Sequence, residues 1–259
     1  MLLISGMRRY RVIPVLMLHQ GGLYKSVKFK NHRYVGDPIN AVRIFNDKEV
    51  DEMIVLDIDA TCEKREPDFR LLSELAGEAF MPMGYGGGLS SIEQVKRVLY
   101  EGYEKVIFNH AAIHNLQLIE QTARLFGSSS TVVSIDAGKN WMGKYKVYEQ
   151  QGGKAISTSL ADHVKMVTNA GAGEIFISSI DKDGTFEGYD IPLIKQVSSS
   201  VDIPVIANSG AATVQDFKMA IEEGGASAVA AGSMFVFKMP HKAVLITYPD
   251  EASLRSLIT

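Results

Sequence analysis

Arg11-Val12-Ile13-Pro14-Val15-Leu16-Met17-Leu18 runs on through His19 and Gln20 into Gly21-Gly22. An apolar run of this length, closed by glycines, reads as a strand buried on both faces. Its counterpart half a chain later is Val132-Val133-Ser134-Ile135-Asp136. One of the two strands ends in a thioether and the other in a carboxylate. Asp can carry a proton at ordinary pH and Met cannot, so the difference bears on the chemistry the protein can perform.

Working outward, short runs rich in Val, Ile and Phe recur and predict strands near 12–18, 53–57, 80–85, 104–108, 131–136, 174–178, 203–207 and 227–231. Between them, 38–48, 66–78, 91–101, 114–126, 158–170, 190–200 and 213–223 carry apolar residues at three- and four-residue spacing, the helical period. Asp37-Pro38, Ser90 or Ser91 with Glu93, and Asp190 with Pro192 mark helix starts. Strict alternation of buried strands with helices implies a parallel sheet, and eight units imply closure into a (β/α)8 TIM barrel with its chemistry at the C-terminal strand ends.

The two halves resemble each other. Asp57-Ile58-Asp59-Ala60-Thr61 ends the second strand, and Ile180-Asp181-Lys182-Asp183-Gly184-Thr185 follows the sixth. Gly84-Tyr85-Gly86-Gly87-Gly88 pairs with Asn208-Ser209-Gly210, and Asn109-His110-Ala111 with Gly232-Ser233. A barrel built from two similar half-barrels explains the pairing. The polar stretch 139–157 reads as a hairpin excursion after the fifth strand. No linker or low-complexity segment interrupts the chain, so a single domain over 1–259 is expected.

At 259 residues and 46% hydrophobic, the chain can bury a full core. A net charge of −3, with Lys and Arg dispersed, gives no footprint for nucleic acid. The lone Cys62 allows no internal disulfide and suits a reducing compartment. Met1–Met7 is apolar but too short for a signal segment, and Arg8-Arg9 stand where cleavage would be expected. No run approaches membrane-spanning length, and a cytoplasmic protein without membrane partners is the expectation.

Glycine-rich strand ends that open onto helices suit phosphate, because backbone N–H groups reach the anion unobstructed. Gly86-Gly87-Gly88 with Asn109 forms one candidate cradle. Gly184, Asn208, Ser209, Gly210, Gly232 and Ser233 form the other. Glycine that only permits a tight turn is the competing reading for each. Asp136 and Asp183 are acid–base candidates, with Asp57 and Asp59 behind them; helix capping accounts for Asp57 equally well. Lys25, in the Gly21–Gly36 loop, suits a clamp on an anionic substrate or is a solvated loop lysine. No His or Cys cluster shows ligand spacing, so no metal is expected, and no cofactor is implied.

Taken together, Val35-Gly36-Asp37-Pro38, Leu56-Asp57-Ile58-Asp59-Ala60, Tyr85-Gly86-Gly87-Gly88, Asn109-His110-Ala111-Ala112 and Ser179–Thr185 resemble the HisF family, the cyclase subunit of imidazole glycerol phosphate synthase. That resemblance covers nearly the whole chain. It implies a barrel that receives ammonia from a HisH-like glutaminase and closes a bis-phosphorylated formimino substrate to an imidazole, as in histidine biosynthesis. The family's two catalytic Asp residues fall on Asp136 and Met17. Its loop lysine falls on Lys25, and its phosphate residues on Gly88, Asn109, Asp183, Gly184, Gly210, Gly232 and Ser233. Its ammonia gate falls on Arg11, Glu52, Lys105 and Glu174, all four side-chain types retained.

A retained gate beside a lost catalytic acid fits a subset better. Lys28-Phe29-Lys30, Tyr34–Ala41, Ala228–Phe237 and the tail His241–Pro249 resemble second-copy HisF-like proteins associated with surface-polysaccharide biosynthesis. These imply delivery of ammonia to a separate sugar amidotransferase. The alternatives are the ordinary cyclase, with His19 standing in for the lost Asp, and a non-catalytic conduit and scaffold.

Overall fold

The structure, a computed structural model, describes residues 10–149, 151–255 and 257; the apolar amino-terminal stretch discussed above lies outside them. Eight parallel strands are present: β1 Arg11–His19, β2 Met53–Asp57, β3 Met83–Gly86, β4 Lys105–Phe108, β5 Thr131–Lys139, β6 Glu174–Ser179, β7 Val205–Asn208 and β8 Ala228–Ala231. Each pairs with the next, and β8 pairs back onto β1 with Arg11 opposite Ala228, so the sheet closes into a barrel. Seven helices wrap it: α1 Pro38–Asp47, α2 Phe69–Glu78, α3 Ile92–Tyr100, α4 Leu116–Phe126, α5 Leu160–Asn169, α6 Ile191–Ser198 and α7 Val214–Glu222.

The helix starts have local causes. The Asp37, Ser91 and Asp190 side chains accept the backbone N–H groups of Asn40, Gln94 and Leu193, three of the donors a helix N-terminus leaves unpaired. Two strands begin later than the apolar runs suggest. β3 starts at Met83 and β7 at Val205, each directly after a proline, which has no N–H to give a ladder.

Strand alternation divides the core in two. Val12, Leu16, Val55, Val133 and Ile175 pack outward beneath the helices. Ile13, Val15, Ile54, Ile107, Val132, Phe176, Ile206, Ala228 and Ala230 pack inward as a separate apolar column, with Leu56 against it. The barrel interior is therefore filled.

The half-barrel repeat is visible in backbone angles. Asn109, leaving β4, has φ −118° and ψ −71°, and Gly232, leaving β8, has φ −113° and ψ −70°. Each begins a one-turn helix, His110–His114 and Ser233–Val236.

Two hairpins rise from the mouth. The segment read as a loop over Gly21–Gly36 is instead a β-hairpin, Gly22–Val27 with Lys30–Gly36, continuing β1. The excursion after β5 pairs Tyr145–Glu149 with Lys154–Ser159, and β5 itself runs on to Lys139 to meet it. In place of a long eighth helix, Phe237–Lys238 pairs with Ala243–Val244, and Glu251–Arg255 is a short helix. Tyr248 of this tail donates its hydroxyl to the Val12 carbonyl at 2.9 Å, and its ring packs at a tilt against Phe235.

Candidate functional site

The inward parity that places Ile13 and Val15 in the barrel brings Met17 to its mouth. The same parity delivers Leu56, Gly86, Asn109, Asp136, Ser178, Asn208 and Gly232 from the other seven strand ends. All eight line one cavity of about 620 Å³. Every phosphate or substrate residue expected from the sequence borders it: Lys25, Gly88, Asn109, Asp183, Gly184, Asn208, Gly210, Gly232 and Ser233.

Asp136 stands four strands from Met17, across the barrel. Asn109 Nδ2 donates to Asp136 Oδ2 and to the Ser134 carbonyl, both at 3.1 Å. Enclosure by the barrel wall pushes the Asp136 carboxyl up to about 7, and nearby Asp183 adds to the rise. Hydrogen bonds from Asn109 and Ser178 pull against it. This is the pKa of a group that can both take and give a proton at neutral pH.

Lys25 is not a solvated loop residue. The hairpin folds it into the cavity, where its Nζ donates to the Val15 carbonyl. Burial lowers its pKa to about 8, with Asp183 pulling it back up. Asp183 accepts from Ser26 Oγ at 2.6 Å and Phe29 N at 3.1 Å, tying the hairpin to the β6 loop. Burial raises the Asp183 carboxyl, while these bonds and Lys25 hold it down.

Several glycines are explained by packing. A Cβ on Gly184 would lie 2.1 Å from the Ser26 carbonyl oxygen, and one on Gly210 would lie 2.3 Å from that of Gly188. Glycine there is dictated by close backbone approach, whatever occupies the cavity. Asn208 donates to Ser178 Oγ at 3.0 Å, and Ser209 holds a positive φ of 79°. Asp57 borders the cavity and also braces its own loop: its Oδ1 accepts Asp59 N and Ala60 N, and Arg65 pairs with it at 2.9 Å.

His19 does not border the cavity. Its Nδ1 lies 2.7 Å from Asp59 Oδ1, and its ring leans on His32, which does. His32 and Ser178 are mouth residues that sequence reasoning missed. Ser178 shares parity with Glu174 and Phe176 and could have been found from it. The expectation that no histidines have ligand spacing is corrected. His110 and His114 are one helical turn apart, and with Glu149 they hold three ligand atoms within 4.8 Å of one another.

At the opposite end, Arg11, Glu52, Lys105 and Glu174 close a ring. Arg11 bonds Glu52 at 2.5 Å and Glu174 at 3.0 Å, and Lys105 bonds Glu52 at 2.8 Å and Glu174 at 3.2 Å. Each residue opens a strand or directly precedes one, so the ring caps the bottom of the apolar column. No helix among the described residues is long and apolar enough to cross a membrane.

Known proteins are similar to this chain in sequence. Residues 11–240 match the family described as histidine biosynthesis protein. A Pseudomonas aeruginosa protein named provisionally as imidazole glycerol phosphate synthase subunit hisF2 is 49% identical over 244 residues, 94% of this chain and 97% of its own. A Leptospira interrogans protein named provisionally as subunit HisF of that synthase is 45% identical over 252 residues, 97% of this chain and 99% of its own. The imidazole glycerol phosphate synthase subunit HisF of Thermococcus onnurineus is 40% identical over 222 residues, 85% of this chain and 87% of its own. With a closed barrel, matches over most of its length and this identity, the chain belongs to the HisF family of imidazole glycerol phosphate synthase subunits.

Proposed function

We propose that this subunit takes ammonia from a HisH-like glutaminase at the ring end and releases it at the mouth, for amidination of a surface-polysaccharide sugar by a partner sugar amidotransferase. One observation carries the reading: a closed four-charge ring sits under an apolar column whose upper end bears Met17 where a second acid would be needed. Buried ion pairs are costly to maintain and are weak stabilisers, so a complete ring at the barrel floor points to a use beyond folding. An apolar column opposes ions far more than it opposes a small neutral molecule, which suits ammonia rather than ammonium. The acceptor class rests on the resemblance of the hairpin, β8 and tail segments to the polysaccharide-associated subset.

A second reading has its own observation. Lys25 near pKa 8 and Asp136 near 7 together could carry protons for ring closure, making the chain a working cyclase on the bis-phosphorylated formimino substrate. Excess ammonium with that substrate separates the two, since it removes the need for a glutaminase. The amidotransferase reading expects the unmodified protein to turn over at least roughly 100-fold more slowly than Met17→Asp, the scale of a missing general acid or base. Equal, fast turnover by both would establish the cyclase and sink the first reading.

A further inference from the structure

His110 and His114 lie on the one-turn helix after β4, at the i and i+4 positions that place both imidazoles on one face. Their ring centroids are 4.3 Å apart. Glu149 reaches them from the hairpin after β5, and its Oε2 is 2.6 Å from His114 Nε2. Lys154 engages the other oxygen, Oε1, at 3.3 Å. We propose that His110, His114 and Glu149 form a binding site for a zinc-like divalent cation at the rim of the barrel mouth.

The donor set is the argument. Two neutral imidazoles and one carboxylate match a three-ligand zinc centre that leaves one position open. Ligand atoms around a tetrahedral zinc sit roughly 3.3 Å apart, and these three already lie within 4.8 Å of one another. Small rotamer changes on exposed imidazoles close the remaining gap. Glu149 is buried, so its carboxylate is held in place before any cation arrives.

The simpler account is a latch, in which the His114–Glu149 pair ties the hairpin to the helix. That account has no use for the His110 imidazole, which makes no hydrogen bond among the described residues and touches only the His114 ring. His110 also borders the mouth cavity, whereas His114 and Glu149 do not line it. A cation here would therefore brace the hairpin against the mouth. Its open position would take water or an anionic oxygen of the bound molecule, on the side of the Gly88 and Asn109 cradle.

The test uses the full chain, free of any histidine tag and stripped with chelator, titrated with zinc against a chromophoric competitor and with cobalt(II) by visible absorption. One equivalent should bind, with the cobalt band of a low-coordinate nitrogen and oxygen site. Loss of an outer-shell partner already weakens metal sites 10- to 100-fold, so His110→Ala should weaken binding by about tenfold or more. The metal-free melting temperature of His110→Ala should stay where it was, since the latch is intact. Glu149→Gln should weaken binding comparably. Absence of stoichiometric binding by the unmodified protein, or binding untouched by His110→Ala, overturns the proposal.

Discussion

Asp136 shows what one residue's surroundings can do. Its folded pKa of about 7 lies above the ordinary aspartate value near 3.9, because the barrel wall disfavours the charged form. The folded state therefore holds this proton longer than the unfolded chain, and stability falls as pH rises from about 4 to about 7. Asp136→Asn removes that penalty. Chemical denaturation at pH 8 should find the variant more stable, by on the order of 2–4 kcal/mol, with the difference fading toward pH 4. Any turnover that depends on Asp136 should fall about 10²–10⁴-fold in the same variant. Stability gained with activity lost is the behaviour expected of a site that stores an unfavourable ionisation for use.

Among elements, the hairpin 22–36 depends on its contact with the β6 loop. Lys28 N donates to the Asp183 carbonyl, Ser26 and Phe29 hold its carboxylate, and Gly184 lets the two backbones touch. Gly184 also has a φ of +67°, where a side chain is strained in any case. Gly184→Ala should cost about 2–4 kcal/mol, from backbone clash and strain together. It should also lift the hairpin from the mouth, read as faster amide exchange over residues 22–36; unchanged exchange would mean the hairpin docks by other contacts. The sequence hid this element. Its turn consists of Lys28 and Phe29 at positive φ rather than a glycine pair, and its second strand is mostly exposed and polar, so no apolar alternation marks it.

The floor ring belongs to the whole molecule, since its four members come from strands scattered over residues 11 to 174. Removing one member leaves each of its two neighbours with a single opposite charge in a half-buried setting. Lys105→Ala strips a cation from both Glu52 and Glu174 and should lower stability by about 1–3 kcal/mol, measured by thermal unfolding. If the ring serves ammonia entry, the same variant uncouples glutamine-driven from ammonium-driven turnover in the assembled system. A loss of stability with both ammonia sources affected alike would instead make the ring structural.

The sequence by itself determined the barrel, because periodicity and helix caps are local. An apolar run buried on two faces declares itself wherever it stands, and Asp37, Ser91 and Asp190 cap their helices using neighbours three residues away. Parity along a strand also fixes which of its residues faces inward, so Arg11 and Met17 share a face by spacing alone. Tertiary structure decided what those residues became. Barrel closure and hairpin docking buried Lys25 against Val15, held His19 behind Asp59, and brought Glu149 to His110 and His114. These are contacts between segments up to tens of residues apart, set by strand closure and hairpin docking. No local pattern encodes such distances, and the burial that lowers the Lys25 pKa and raises that of Asp136 follows from them.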